Sequence, residues 1–99
     1  MEKISSKKIL KEIEKRKEEI VGKGVKKIGL FGSVAKDKHN TKSDIDILVT
    51  FEKSTFDSYM ELKFLLEKIF GRKVDLIVEK SLRPELKHIK KEVKYARIF

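Results

Sequence analysis

The run Asp44-Ile45-Asp46-Ile47-Leu48-Val49 constrains the fold more than any other stretch of the chain. Ile45 to Val49 reads as a buried β-strand, yet its start carries two aspartates at alternating positions. Side chains alternate faces along a strand, so Asp44 and Asp46 point the same way, about 7 Å apart. Two carboxylates at the mouth of an apolar strand repel, and partial burial sharpens the repulsion. A positive group is expected between them, and a divalent cation with oxygen ligands is the natural candidate.

The flanking segments supply a frame for this strand. Ser5 or Ser6 caps an expected helix running to about Val21, with Ile9, Leu10, Ile13, Ile20 and Val21 on one face. Gly22 and Gly24 end it. A first strand spans Val25 to Phe31 and is broken by Gly32-Ser33; Ser33 to Lys36 suits one helical turn, and Asp37 to Ser43 is a polar loop. The second strand is Asp44 to Phe51. Thr55 or Asp57 then caps a helix over about 57–70 that Gly71 stops. Val74 to Glu79 repeats the theme as a third strand, with Asp75 ahead of Leu76-Ile77-Val78. A last helix is expected near 82–95, with Pro84 in its first turn and a stripe of Leu82, Leu86, Ile89 and Val93.

Topology links these segments to chemistry. A helix joins the second and third strands, so they are expected to run parallel. The shorter connection from the first strand suits an antiparallel neighbour. That arrangement gathers Asp44, Asp46, Asp75 and the Gly32-Ser33 break at one edge of the sheet. Three carboxylates can hold two divalent ions about 3.5–4 Å apart, clamping the attacking and leaving oxygens of a phosphoryl transfer. Mg²⁺ suits such a site because it prefers carboxylate oxygen and completes its shell with water and substrate phosphates. Gly32 lets backbone approach a phosphate closely, and Ser33 offers N–H and hydroxyl donors at a turn.

Charge and composition bound the alternatives. The net charge is +9, concentrated at the ends: residues 1–27 hold ten Lys/Arg against five Glu, and residues 80–99 hold seven against two. Such ends could steer a nucleotide or nucleic acid toward an acidic centre, or simply solvate helix faces. The 99 residues make one domain, 1–99. No apolar run approaches the roughly 20 residues that cross a bilayer, and no secretory leader is evident. Cysteine is absent, so a cytoplasmic protein without disulfides or thiolate metal sites is the simplest expectation. Abundant Lys and Glu, with no Gln and Asn40 as the lone Asn, suit a thermophilic source. His39 and His88 have no partner at metal-ligand spacing, and Tyr59 and Tyr95 are expected to pack on helix stripes.

Leu30-Phe31-Gly32-Ser33-Val34-Ala35-Lys36 followed by Ser43-Asp44-Ile45-Asp46-Ile47-Leu48-Val49 resembles the signature of the polymerase-beta-like nucleotidyltransferase superfamily. The small size, Val74-Asp75-Leu76-Ile77, and Leu82-Arg83-Pro84-Glu85-Leu86 with Ile89 and Glu92 resemble its minimal nucleotidyltransferase (MNT) branch. The resemblance covers nearly everything from Lys26 onward. It implies an α/β (α+β) fold in which helices pack on a small mixed β-sheet. It also implies two-Mg²⁺ transfer of a nucleoside monophosphate from a nucleoside triphosphate, with ATP as the implied donor. Carried over, Asp44, Asp46 and Asp75 are catalytic metal ligands, Asp75 also receiving the acceptor proton, while Gly32, Ser33 and Lys36 bind the nucleotide. Lys36 stands where the family often has arginine, which keeps the charge but loses the bidentate fork.

Minimal members are often paired with a small helical HEPN toxin, and the resemblance implies an antitoxin of the MntA type that adenylylates such a partner. The short chain agrees, since it leaves no room for an acceptor-binding domain and implies that a partner completes the site. Two other readings stand beside this one. A binding-only antitoxin would mask its partner without chemistry. A nucleic-acid-binding or nucleic-acid-modifying domain would use the basic ends, although the interleaved aromatics of single-strand platforms are missing.

Overall fold

The computed structural model describes residues 5–37, 44–81 and 92–99. The first amphipathic segment folds as two helices, α1 (Ser6–Lys15) and α2 (Lys17–Gly22), where the sequence suggested one. Ser5 caps α1 by accepting the Lys8 N–H at 3.2 Å. The break falls at Arg16, whose backbone leaves the helical region at φ −107° and ψ 22°. Ile13 and Ile20 are both fully buried, whereas every side chain from Lys15 to Glu19 faces solvent. Nothing apolar pins the intervening turn, so it is free to re-aim the second half onto the core.

Next come β1 (Val25–Leu30), the single turn α3 (Gly32–Ala35), and β2 (Ile45–Phe51). Helix α4 (Phe56–Phe70) starts at Thr55, whose hydroxyl accepts from Ser58 N–H, and ends at Gly71 in the left-handed conformation (φ 63°). Strand β3 (Val74–Val78) runs into a 3-10 turn at Glu79–Ser81. The sheet order is β3-β2-β1-β4, where β4 is Lys94–Tyr95. As the sequence suggested, β2 and β3 are parallel and β1 and β2 antiparallel.

Strand β4 corrects the sequence reading. Residues 82–91 of the expected last helix lie outside the described residues, as do His39, His88 and the polar loop from 38 onward. At the helix's expected C-terminal end, Lys94 and Tyr95 instead pair antiparallel with Leu30 and Gly29. Tyr95 therefore lies on an edge strand and not on a helix stripe, 42% exposed with the Lys27 ammonium 5.9 Å from its ring centre. Local helix propensity loses here to a long-range pairing that Gly29 permits. A Cβ at Gly29 would lie 2.6 Å from Val93 Cγ1 and 2.8 Å from the Lys94 carbonyl oxygen. Glycine inside a strand marks such a close approach.

The main core lies on one face of the sheet. Ile45, Ile47, Val49 and Phe51 of β2 pack there with Ile9, Ile13 and Ile20 from the N-terminal helices and Leu62 and Leu66 from α4. Tyr59 packs against the same core, and its hydroxyl donates to the Leu76 carbonyl at 2.7 Å. The opposite face carries a smaller apolar group of Phe31 and Leu48 with Ile77 and Val93. Among the described residues no helix is long and apolar enough to cross a membrane.

Candidate active site at the head of the second strand

Register brings the carboxylates together. Asp46 and Asp75 are direct partners across the parallel β2–β3 pair, and partners in register share a face of the sheet. That face is the one opposite the main core. Down it the β2–β3 rows run Asp46/Asp75 and Leu48/Ile77, and beyond the last paired residues the Thr50 hydroxyl donates to the Glu79 carboxylate of the 3-10 turn. Asp44 stands one residue before β2 and is exposed, two positions from Asp46.

The Gly32 turn meets the same edge because β1 ends where β2 begins. Phe31 N–H donates to the Asp46 carbonyl at 3.2 Å, and Gly32 follows with φ +69°. A Cβ on Gly32 would stand 2.6 Å from Asp46 Oδ2. The missing side chain is thus what lets the Asp46 carboxylate lie against the turn, and the positive φ independently favours glycine. Ser33 follows in α3 with an exposed side chain.

Electrostatics mark Asp46 as the strained member of the group. Burial first, and then the neighbouring Asp75 and Asp44 charges, together raise its carboxyl from 3.8 to about 6. Among the described residues no lysine or arginine forms an ion pair with any of the three. An all-oxygen, uncompensated donor set of this kind fits a hard divalent cation, which would relieve the repulsion that burial amplifies. Among the described residues no three acidic or histidine side chains form a ready-made metal cage.

Lys36 is placed less simply than the sequence suggested. Its ammonium lies 3.5 Å from the Glu92 carboxylate, both side chains about half exposed. The next residue, Asp37, was not singled out from the sequence. Its Oδ1 accepts the Ser6 N–H at 2.7 Å and its Oδ2 accepts the Ser6 hydroxyl at 2.8 Å. Nothing local in Ala35-Lys36-Asp37-Lys38 predicts a partner 31 residues earlier in the chain.

Comparison with known proteins places this geometry. Residues 6–99 match the nucleotidyltransferase domain family. A Methanocaldococcus jannaschii protein with the provisional name protein adenylyltransferase is 44% identical over 78 residues, 76% of either chain. Protein adenylyltransferase MntA of Thermococcus cleftensis is 39% identical over 74 residues, 73% of this chain and 75% of that one. A solved structure provisionally described as a minimal nucleotidyltransferase superposes with TM-score 0.71 at 32% identity, covering 86% of this chain and 93% of that one. Two toxin–antitoxin structures share the fold at lower identity. One, with AMP-PNP, gives TM-score 0.64 at 23% identity over 84% of this chain and 72% of that one. The other, tri-AMPylated Shewanella oneidensis HEPN toxin in complex with MNT antitoxin, gives 0.55 at 22% over 85% and 69%. Matched over nearly its whole length, this chain belongs to the nucleotidyltransferase domain family, in its minimal branch.

Proposed function

We propose that this enzyme transfers AMP from ATP to a hydroxyl of a partner protein, and that the partner is a HEPN-type helical toxin which the modification neutralises. The observation that carries the reading is the Asp46–Asp75 register pair with Asp46 lying against Gly32. It sets carboxylates directly beside the glycine turn, which supports reading the one as metal ligands and the other as the triphosphate cradle. The adenylyltransferase names of the relatives and the AMPylated toxin complex among the structural neighbours support the choice of a protein acceptor.

Each residue has a role in this reading. Asp44, Asp46 and Asp75 hold Mg²⁺, two ions in all, which supplies charge neutralisation for the transferring phosphoryl group and acidifies the acceptor hydroxyl. Gly32 admits the phosphate chain close to backbone, and Ser33 donates its N–H and hydroxyl to phosphate oxygens. Lys36 adds a positive charge there on exchanging Glu92 for phosphate. The acceptor oxygen attacks the α-phosphorus in line, its bond to phosphorus forms as the bond to the bridging oxygen breaks, and pyrophosphate departs. Asp75 takes the acceptor proton.

The test is to incubate the chain with Mg-ATP and the helical protein encoded beside it, then weigh the partner. The expected result is a gain of one or more AMP masses that disappears with Asp44→Asn/Asp46→Asn. An unmodified partner, or an unchanged gain with that double variant, sinks the proposal. A binding-only antitoxin is the second reading, left open by the lysine at position 36, which lacks a bidentate fork for phosphate. There Asp44→Asn leaves neutralisation of the toxin intact.

A further inference from the structure

Asp37 is the only non-glycine residue among those described with a positive φ, 56°. Such backbone is strained for most side chains, though Asp tolerates it better than most. The strained residue comes directly after Lys36, at the end of the turn that begins with Gly32-Ser33. Both of its carboxylate oxygens are engaged by Ser6, through backbone N–H and hydroxyl. Ser6 is only 4% exposed. A buried N–H at a helix start needs an acceptor, and the positive end of α1 favours a carboxylate there. The Lys94 ammonium completes the cluster, 3.3 Å from Ser6 Oγ and 3.9 Å from Asp37 Oδ2.

Three elements distant in sequence therefore converge on the end of α3: the start of α1, Asp37 itself, and β4. Their contributions differ. The Lys94 and Lys36–Glu92 ion pairs are about half exposed and screened by solvent, so they fix little by themselves. The two short hydrogen bonds join buried Ser6 donors to the partly exposed Asp37 carboxylate, are charge-assisted, and carry the restraint. With β1 holding one end of α3 and Asp37 the other, a four-residue helix too short to be stable alone is fixed in place.

We propose that Asp37 is a positioning residue for the nucleotide: clamped to Ser6, it holds α3 so that the Gly32-Ser33 turn is presented to the triphosphate in one orientation. The inference rests on the phosphate-binding role proposed above for that turn. Asp37 does not itself touch substrate. A looser turn gives up phosphate contacts that substrate and transition state share, which raises KM and leaves kcat nearly unchanged.

The experiment compares two variants of the full chain. Asp37→Gly keeps the left-handed backbone and deletes the clamp. Ser5→Ala weakens the same helix start by removing the cap on Lys8 N–H, and touches nothing in α3. Expected for Asp37→Gly is a KM for Mg-ATP raised about tenfold with kcat within about twofold. Amide exchange at residues 33–36 of the nucleotide-free protein should also quicken. Ser5→Ala should leave KM and that exchange as in wild type. Equal exchange in the two variants overturns the clamp whatever the kinetics, and quicker exchange with unchanged KM overturns the positioning role. A wild-type chain that fails to bind Mg-ATP would remove the proposed function instead, while the exchange comparison still judges the clamp.

Discussion

The two faces of β2 are built for different purposes although their residues alternate one by one. Ile45, Ile47, Val49 and Phe51 look into the main core and are at most 3% exposed. Asp46, Leu48 and Thr50 look the other way, onto a face where polar rows flank a small apolar patch. One row is satisfied by burial alone. The other contains a carboxyl that burial penalises and that no described side chain neutralises. The contrast separates stability from chemistry along a single strand, so substitutions one residue apart should fail in different ways.

The largest expected effect is on chemistry. On the proposed mechanism, Asp46→Asn should cut AMP transfer by about a thousandfold or more, since loss of a proposed metal ligand forfeits several kcal/mol of transition-state stabilisation at about 1.4 kcal/mol per tenfold. Its metal-free melting temperature should be no lower than wild type. Paired thermal melts and transfer rates check this, and a variant that merely unfolds would erase the distinction between the faces.

The neighbouring residue should behave in the opposite manner. Ile47 is fully buried, and Ile47→Ala should cost about 3–4 kcal/mol through lost burial and the cavity left behind. For a domain of this size that lowers the melting temperature by about 15 °C or more. Well below the transition, KM for ATP should hold. A large rise in KM without loss of stability would place Ile47 in the site and not in the core.

Gly32 sharpens the comparison because Gly71 is its control. Both take left-handed backbone, with φ of 69° and 63°. A Cβ meets Asp46 Oδ2 at 2.6 Å in the first case and nothing within 4 Å in the second. Gly71→Ala should lose about 1 kcal/mol from backbone strain alone. Gly32→Ala should lose more, and should weaken Mg-ATP binding about tenfold by displacing the turn and the carboxylate together. Equal stability losses with unchanged binding would show that Asp46 simply moves aside.

Much of this site was legible in the sequence because strand chemistry is local. Alternation fixes which residues share a face, so Asp44-Ile45-Asp46 announces a polar row on an apolar strand before any coordinate is known. Parallel pairing through a crossover then brings Asp75 to the same edge, as the register confirms. The C-terminal segment was not legible in this way. Lys94-Tyr95 carries a helix-compatible pattern, and its strand pairing depends on the bare backbone of Gly29, about 65 residues earlier. Asp37 is a similar case, since a turn residue reveals its own strain but not the helix start that compensates it. The break at Arg16 lay between these extremes. The gap in apolar residues from Glu14 to Glu19 was visible, but whether a helix bridges or breaks there depends on how α1 and α2 seat on the core.

The smallest expected effect concerns pH, and it tests the electrostatic half of the contrast. Folding raises the Asp46 carboxyl from 3.8 to about 6, so between those values the folded state binds more protons than the unfolded chain. Stability then falls as pH rises through that window and levels off above it. Asp46 is only partly buried, so after allowance for solvent screening the loss should be about 1 kcal/mol. Asp46→Asn removes the titrating group, so the difference between its melting temperature and that of wild type should widen from pH 4 to pH 6.5 in metal-free buffer. Comparing the two proteins cancels the titration of carboxylates remote from Asp46, leaving that of Asp46 and the Asp75 and Asp44 charges coupled to it. Mg²⁺ should reverse the gap, because a ligand that binds the folded, ionised carboxylate stabilises wild type by mass action and leaves the variant nearly unmoved. If the gap does not depend on pH, the charge on Asp46 is already compensated, and its row differs from the buried one only in polarity.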